Sequence, residues 1–223
     1  MTHDYVDVTL VITSYNRAPF IDRAIRSCLA QITQRRRVEV LIVDDHSTDE
    51  SLEIIGEFHD EVRLLVNPTN RGVAGSSNVA LGAARGKYWM RVDADDFLNA
   101  YACAFMAALL DENPEYAFVY CDHFRVDQRG RKIDKVRLNT DAVLFNHGAG
   151  ILFRTETLRQ IGGYDDELRS CEDYDLLLRL RRHGARGYYL PLPLYRYYIH
   201  GKNMTLDEDR EKFRKIVELK HGL

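Results

Sequence analysis

The sequence predicts an α/β protein with a mostly parallel central sheet flanked by helices, and three features of its 223 residues predict it. Short, continuous, β-branched apolar runs recur through the first half of the chain. Between them lie segments of helical period with recognisable start and stop signals. The runs also lack polar alternation, the mark of strands covered on both faces and hence of βαβ crossovers.

Taken in order, residues 8–13 form the first run. Pro19 then opens a segment in which Ile21, Ala24, Ile25, Cys28 and Leu29 repeat at helical spacing and define one buried face. Residues 38–43 form the second run, and Ser47 with Glu50 has capping-box spacing ahead of Leu52 and Ile55. Residues 62–66 form the third, closed by a turn over 67–72 that contains Pro68 and Gly72. An alanine-rich helix is expected over 75–84 and ends at Gly86; residues 88–92 supply a fourth strand.

The second half reads differently. Residues 118–122 form a strand, and residues 125–136 form a hairpin turning at 128–130. After a short apolar run at 151–153 and a break at Gly162 and Gly163, a helix is expected over 172–183, ended by Gly184. Two short aromatic-rich segments follow. A last helix starts near Thr205, with Glu208 at capping-box spacing and Phe213, Ile216 and Val217 on one face.

With 45% hydrophobic and 29% charged residues, the chain has the composition of a globular domain, and at this length it can bury roughly 70% of its unfolded surface. A formal net charge of −3 gives no sign of a nucleic-acid binder. The four cysteines are scattered with no CxxC pair, as expected for reduced thiols. No leader pattern opens the sequence, and no apolar run reaches the ~20 residues of a membrane span. A cytoplasmic protein without a transmembrane segment is the expectation, with peripheral membrane contact left open.

In sheets of this kind, ligands bind beyond the carboxyl ends of the strands. Two acidic clusters fall there. Asp44 and Asp45 follow the second run; Asp93, Asp95 and Asp96 follow the fourth. Three carboxylates within four residues repel one another unless a cation joins them, and Mg²⁺ or Mn²⁺ commonly bridges such oxygens to a diphosphate. The competing reading is a solvated acidic turn that caps the next helix. A third cluster, Glu172 and Asp173, opens the late helix. It reads either as a plain N-cap or as a general base for an acceptor hydroxyl. His200 precedes Gly201 as a candidate ligand, and the glycines of the 147–150 stretch indicate close backbone approach to a ligand or only a tight turn. Tyr188, Tyr189, Tyr195, Tyr197 and Tyr198 form either a sugar-stacking wall or ordinary packing.

The ordered set of motifs resembles family 2 glycosyltransferases over roughly residues 6–205. Its pieces are Val-Ile-Thr-Ser-Tyr-Asn-Arg at 11–17, Ile-Val-Asp-Asp-His-Ser-Thr-Asp at 42–49, Asn-Arg-Gly-Val-Ala-Gly-Ser-Ser-Asn at 70–78 and Ala-Arg-Gly-Lys-Tyr at 84–88. Val-Asp-Ala-Asp-Asp at 92–96, Ile-Gly-Gly-Tyr-Asp at 161–165 and Cys-Glu-Asp-Tyr-Asp at 171–175 complete it. The resemblance implies a single GT-A domain, with a nucleotide-sugar-binding half over about 6–97, an acceptor half over about 98–205 and a C-terminal helix over 206–223.

It further implies an inverting, metal-dependent transfer from a nucleoside-diphosphate sugar, a UDP-sugar foremost, to a hydroxyl of a glycan, lipid-linked or protein acceptor. Thr13 and Tyr15 would line the base pocket with Asp44 and Asp45, and Arg71 and Asn78 would lie near base or ribose. Asp93 and Ala94 would contact the nucleotide sugar. Asp95, Asp96 and His200 would hold Mn²⁺ or Mg²⁺, Asp173 would be the base and Glu172 its neighbour. The chain departs from the family where many members carry Ala-Arg-Asn and it has Ser76-Ser77-Asn78. Two rival readings remain at this level: a sugar nucleotidyltransferase, and a non-catalytic nucleotide-sugar-binding module.

Overall fold

The structure is a computed structural model that describes residues 5–33, 35–140, 144, 148, 150–201, 203 and 210–223. Among these, nine strands share one sheet. Its first half is parallel: β1 (Val6–Ser14) lies between β2 (Val38–Asp44) and β4 (Gly86–Asp93), with β3 (Arg63–Val66) outside β2. The second half is mixed. β8 (Ile151–Arg154) runs antiparallel between β4 and β6 (Phe118–Val126); β6 pairs in parallel with β9 (Gly187–Tyr198), and β9 pairs antiparallel with the short β5 (Phe97–Leu98). β7 (Lys132–Val136) closes a hairpin on β6, at the expected turn.

The period-2 geometry of the strands sorts the core into two layers. On one face, Leu10, Ile12, Val40, Ile42, Met90 and Val92 pack against α1 (Ala18–Leu29), α2 (Ser51–Gly56) and α4 (Ala102–Glu112). The expected face of α1 is the buried one, and Ile21, Ala24, Ile25 and Cys28 have at most 1% exposure. On the other face, Val11, Leu41, Val43 and Trp89 meet α3 (Gly72–Ala83), α5 (Thr155–Gln160) and α6 (Glu172–Arg182). Burying each large aliphatic is worth about 1.5–3 kcal/mol, so the two layers supply the main drive to this topology. α7 (Arg210–His221) packs on α6, where the buried Asp175 carboxylate accepts Arg179 Nε at 2.7 Å and meets Lys220 Nζ at 2.8 Å and His221 Nε2 at 2.9 Å.

Several local expectations are corrected. The Ser47–Glu50 capping box does not form. Ser47 Oγ instead accepts the Asn16 amide, α2 begins at Ser51, and Asp49 Oδ1 accepts the Ser51 amide. α3 starts at Gly72 rather than residue 75, because a distant side chain begins it: both Asp45 oxygens accept amides of its first turn. The two aromatic segments are one strand, β9, which shifts register twice against β6 near Asp122. α4 and α5 were not anticipated from periodicity. On α7, Val217 is buried but Ile216 is 42% exposed. The expected start of that helix near Thr205 and Glu208 lies outside the described residues, as does His147.

Candidate active site

A cavity of ≈ 360 Å³ opens at the carboxyl ends of β1, β2 and β4. Its first wall comes from the strand ends: Thr13, Ser14 and Tyr15 after β1, Asp45 after β2, and Asp93, Ala94 and Asp95 after β4. The loops after β1 and β2 are stitched together. Asn16, in left-handed backbone at φ 52°, accepts the Thr48 amide at 2.8 Å through its Oδ1, while its own amide donates to Ser47 Oγ at 3.0 Å. This fixes Tyr15 and Arg17 at the cavity rim.

Asp45 is 3% exposed and fully engaged. Oδ1 accepts Asn67 Nδ2 and the Arg71 amide, each at 2.8 Å, and Oδ2 accepts the Gly72 amide at 2.8 Å. A carboxylate here complements the positive end of α3 and sets the floor of the pocket. Gly72 has φ +76°, and a Cβ on it would fall 2.7 Å from Arg169 Nη1, so glycine is needed there.

The opposite wall is carried by the residues around the start of α6. Cys171 holds left-handed backbone at φ 61°, turning Glu172 and Asp173 into the cavity. Gly148 backs Asp173 so closely that a Cβ at 148 would lie 1.8 Å from the Asp173 Cγ. Of the two described glycines in the 147–150 stretch, Gly148 thus approaches a protein carboxyl, and Gly150, at φ +70°, approaches the Tyr195 ring. Tyr174, Tyr197, Asn203, Arg210 and Arg214 complete this side.

Between the walls lies Arg91, 4% exposed. Its Nε is 3.1 Å from Asp93 Oδ1, one terminal nitrogen is 3.1 Å from Glu172 Oε1, and the other is 2.7 Å from Asp173 Oδ2. Burial raises the Asp173 carboxyl to about 8; Arg91 opposes the rise, and the charges of Glu172 and Asp93 add to it. Burial likewise raises Asp93. Arg91 was not singled out from the sequence, although a signal was present: in β4 the face that begins at Trp89 continues through residue 91 to Asp93, so an arginine stands in an otherwise apolar buried strand.

The structure separates the expected site residues into two groups, with His200 outside the cavity lining but in contact with Asp95. Thr13, Tyr15, Asp45, Asp93, Ala94, Asp95, Glu172 and Asp173 line one cavity. Asp44, Arg71, Asn78 and Asp96 do not. Asp44 accepts the Ser47 amide inside its own turn. Arg71 points towards Asp166, at 3.9 Å. Asn78 braces the backbone of Tyr164, donating to its carbonyl and accepting its amide, both at 2.8 Å. Among the tyrosines, Tyr197 lines the cavity, whereas Tyr195 is buried and its hydroxyl accepts the Asp93 amide.

The donor chemistry fits a divalent cation at one place. Asp95 Oδ2 lies 3.0 Å from His200 Nε2, and Phe20 stacks on the His200 ring. Among the described residues no three metal-ligating side chains gather, and Arg17 Nε lies 3.6 Å from the same Asp95 oxygen. This carboxylate and imidazole would therefore hold Mn²⁺ or Mg²⁺ only with further ligands from outside the protein. Asp96 does not fit. It turns away from the cavity, its Oδ1 accepts the Tyr198 amide at 2.8 Å, and burial pushes its carboxyl well above the usual range. An acid that faces inward and holds the Tyr198 amide is a strut for β9, and it does not line the cavity with Asp95.

Strand-end acids face the Asp173 carboxyl across one cavity, and comparison gives the family. The glycosyl transferase family 2 model matches residues 9–163, and the chain belongs to that family. It is 30% identical over 226 residues to chondroitin synthase of Escherichia coli, covering 94% of this chain and 32% of that protein. It is 30% identical over 202 residues to the putative glycosyltransferase EpsE of Bacillus subtilis, covering 85% of this chain and 72% of the relative. The chain thus spans about a third of the synthase it resembles. In fold it resembles Staphylococcus aureus TarS solved with UDP-GlcNAc, with a TM-score of 0.80 at 23% identity over 96% of this chain and 66% of that one. The mannosyltransferase PcManGT of Pyrobaculum calidifontis, solved with GDP-Man and Mn²⁺, gives 0.70 at 23% identity over 98% and 62%. The fold is GT-A.

Proposed function

We propose that this chain transfers a sugar from a nucleoside-diphosphate sugar, a UDP-sugar foremost, to an acceptor hydroxyl with inversion, in the assembly of a polysaccharide or surface glycan. The observation that carries the proposal is the placement of Asp93 and Asp95 opposite Asp173 in a single cavity. The chondroitin synthase relative and the UDP-GlcNAc complex of TarS support the choice of donor class and pathway. The whole chain acts as one GT-A domain, with the strand-end wall taking the donor and the α6 wall taking the acceptor.

In this reading Thr13, Tyr15 and Asp45 receive the nucleotide base, and Asp93 and Ala94 lie along the ribose and sugar. Asp95 and His200 hold Mn²⁺ or Mg²⁺, which when bound offsets negative charge on the departing diphosphate. The acceptor hydroxyl donates its proton to Asp173 as its oxygen attacks the anomeric carbon. The bond from that carbon to the diphosphate oxygen breaks, and the electron pair leaves with the nucleoside diphosphate. A single displacement inverts the anomeric centre. Asp173, raised to about 8, is a stronger base than an exposed aspartate once ionised, so abstraction should grow as pH rises through the neutral range towards 8.

A thermal-shift panel of UDP, GDP, dTDP and CDP, with and without Mn²⁺, tests the donor site. Stabilisation by one diphosphate that needs the metal and disappears in Asp95→Ala is expected. Absence of any shift would overturn the donor assignment.

A further inference from the structure

The two walls of the cavity belong to segments far apart in sequence, and one buried side chain touches both. We propose that Arg91 is a positioning residue for the base: by binding Asp93, Glu172 and Asp173 together it clamps the first turn of α6 to the end of β4 and holds Asp173 at its working position. The proposal rests on the glycosyl-transfer reading of the same cavity.

Geometry carries it. All three edges of the guanidinium are used, each on a different carboxylate, at 3.1, 3.1 and 2.7 Å. A planar fork can fix three partners at once; a lysine in its place is a point charge without that directionality. The backbone of the same strand adds a second tie, because the Arg91 carbonyl accepts the Gly150 amide at 3.3 Å, two residues after the glycine that backs Asp173. A donor-side movement of Asp93 is thereby passed to the base through one side chain.

Charge makes the clamp chemically consequential. One guanidinium faces three carboxyl groups, of which Glu172 is buried and Asp93 and Asp173 are partly exposed, so the cluster holds more acidic than basic groups. The groups facing Asp173 are Arg91 and Asp93 from β4, Glu172 from α6 and Tyr164 from the α5–α6 connection; Gly148 brings only backbone. Arg91 pulls Asp173 down, and burial, Glu172 and Asp93 push it up. Weakening Arg91 therefore raises Asp173 further, whereas neutralising Glu172 lowers it.

The test is a ¹³C-carboxyl NMR titration of the full chain, with the Asp173 signal assigned through Asp173→Asn, alongside the pH profile of transfer. The midpoint is expected to rise by about one pH unit or more in Arg91→Lys and to fall by a similar amount in Glu172→Gln. Turnover in Arg91→Lys should drop by about 100-fold, as for a base displaced by ~1 Å, with UDP affinity unchanged. If Arg91→Lys does not fold, Glu172→Gln alone decides, since it keeps the arginine. Unmoved midpoints, or shifts of the same sign in both variants, would overturn the proposal even if activity were lost. Opposed shifts in a protein that transfers no sugar would instead overturn the function proposed above and leave the control of Asp173 by Arg91 standing.

Discussion

The two walls of the cavity are made by different means. The donor wall takes its residues from the positions just after β1, β2 and β4, so strand order alone brings Thr13, Asp45 and Asp95 together. The acceptor wall draws Gly148, Asp173, Tyr197, Asn203 and Arg214 from separate segments that meet only when α6, α7 and β9 are in place. The first is a property of the sheet; the second is a property of tertiary closure, and Arg91 is where the two are joined. Nucleotide binding should therefore tolerate damage to the acceptor wall, whereas transfer needs both walls.

Substitutions can sharpen that contrast. The largest effect is expected from Asp173→Asn, which should lower turnover by about 10²–10⁴-fold while leaving nucleoside-diphosphate affinity unchanged in calorimetry. Gly148→Ala should come next. Its new methyl occupies the space of the Asp173 carboxyl, so turnover should fall by about 100-fold with the same nucleotide affinity. If either variant lost nucleotide binding as well, the walls would not be separable.

On the donor wall, Asp95→Ala should abolish the Mn²⁺-dependent stabilisation by nucleoside diphosphate, a loss of about 2.7 kcal/mol at a hundredfold excess of ligand over Kd. Asp96→Asn should keep it, because the Asp96 side chain faces away from the cavity and its Oδ1 accepts the Tyr198 amide, a bond that an asparagine oxygen also accepts. A pH profile separates the walls again. A carboxyl raised to about 8 is ionised only above that pH, so kcat/KM should climb through the neutral range and level off beyond about 8. The smallest functional effect is expected from Asn78→Ala. It removes both bonds to the Tyr164 backbone, should cost about 1–3 kcal/mol of stability in thermal unfolding, and should not weaken UDP binding.

The same contrast explains what could be read from the sequence. The parallel half of the sheet and the acids at its strand ends were legible because continuous apolar runs and the strand-end rule are local. Asp173 was legible as a carboxylate opening a helix. The role of Asp96 was not, since only the path of β9 shows that its carboxyl faces inward. Asn78 sits within a motif, yet its direction is set by Tyr164 from a distant loop. The start of α3 was misjudged for a related reason: its first amides are satisfied by Asp45 rather than by a neighbour in sequence. α4 buries Ala102, Cys103, Met106, Ala107 and Leu110, a pattern of small and large residues that gives a weaker periodic signal than α1.

The most direct test of transfer by Asp173 needs no knowledge of the acceptor. Donor hydrolysis, with water in the acceptor position, can be followed by ¹H NMR using the α-linked sugar of whichever nucleotide stabilises the protein. The β-anomer should appear first, together with the free nucleoside diphosphate, and both should be lost in Asp173→Asn. Initial release of the α-anomer, or undiminished release by Asp173→Asn, would contradict a single displacement driven from this carboxylate.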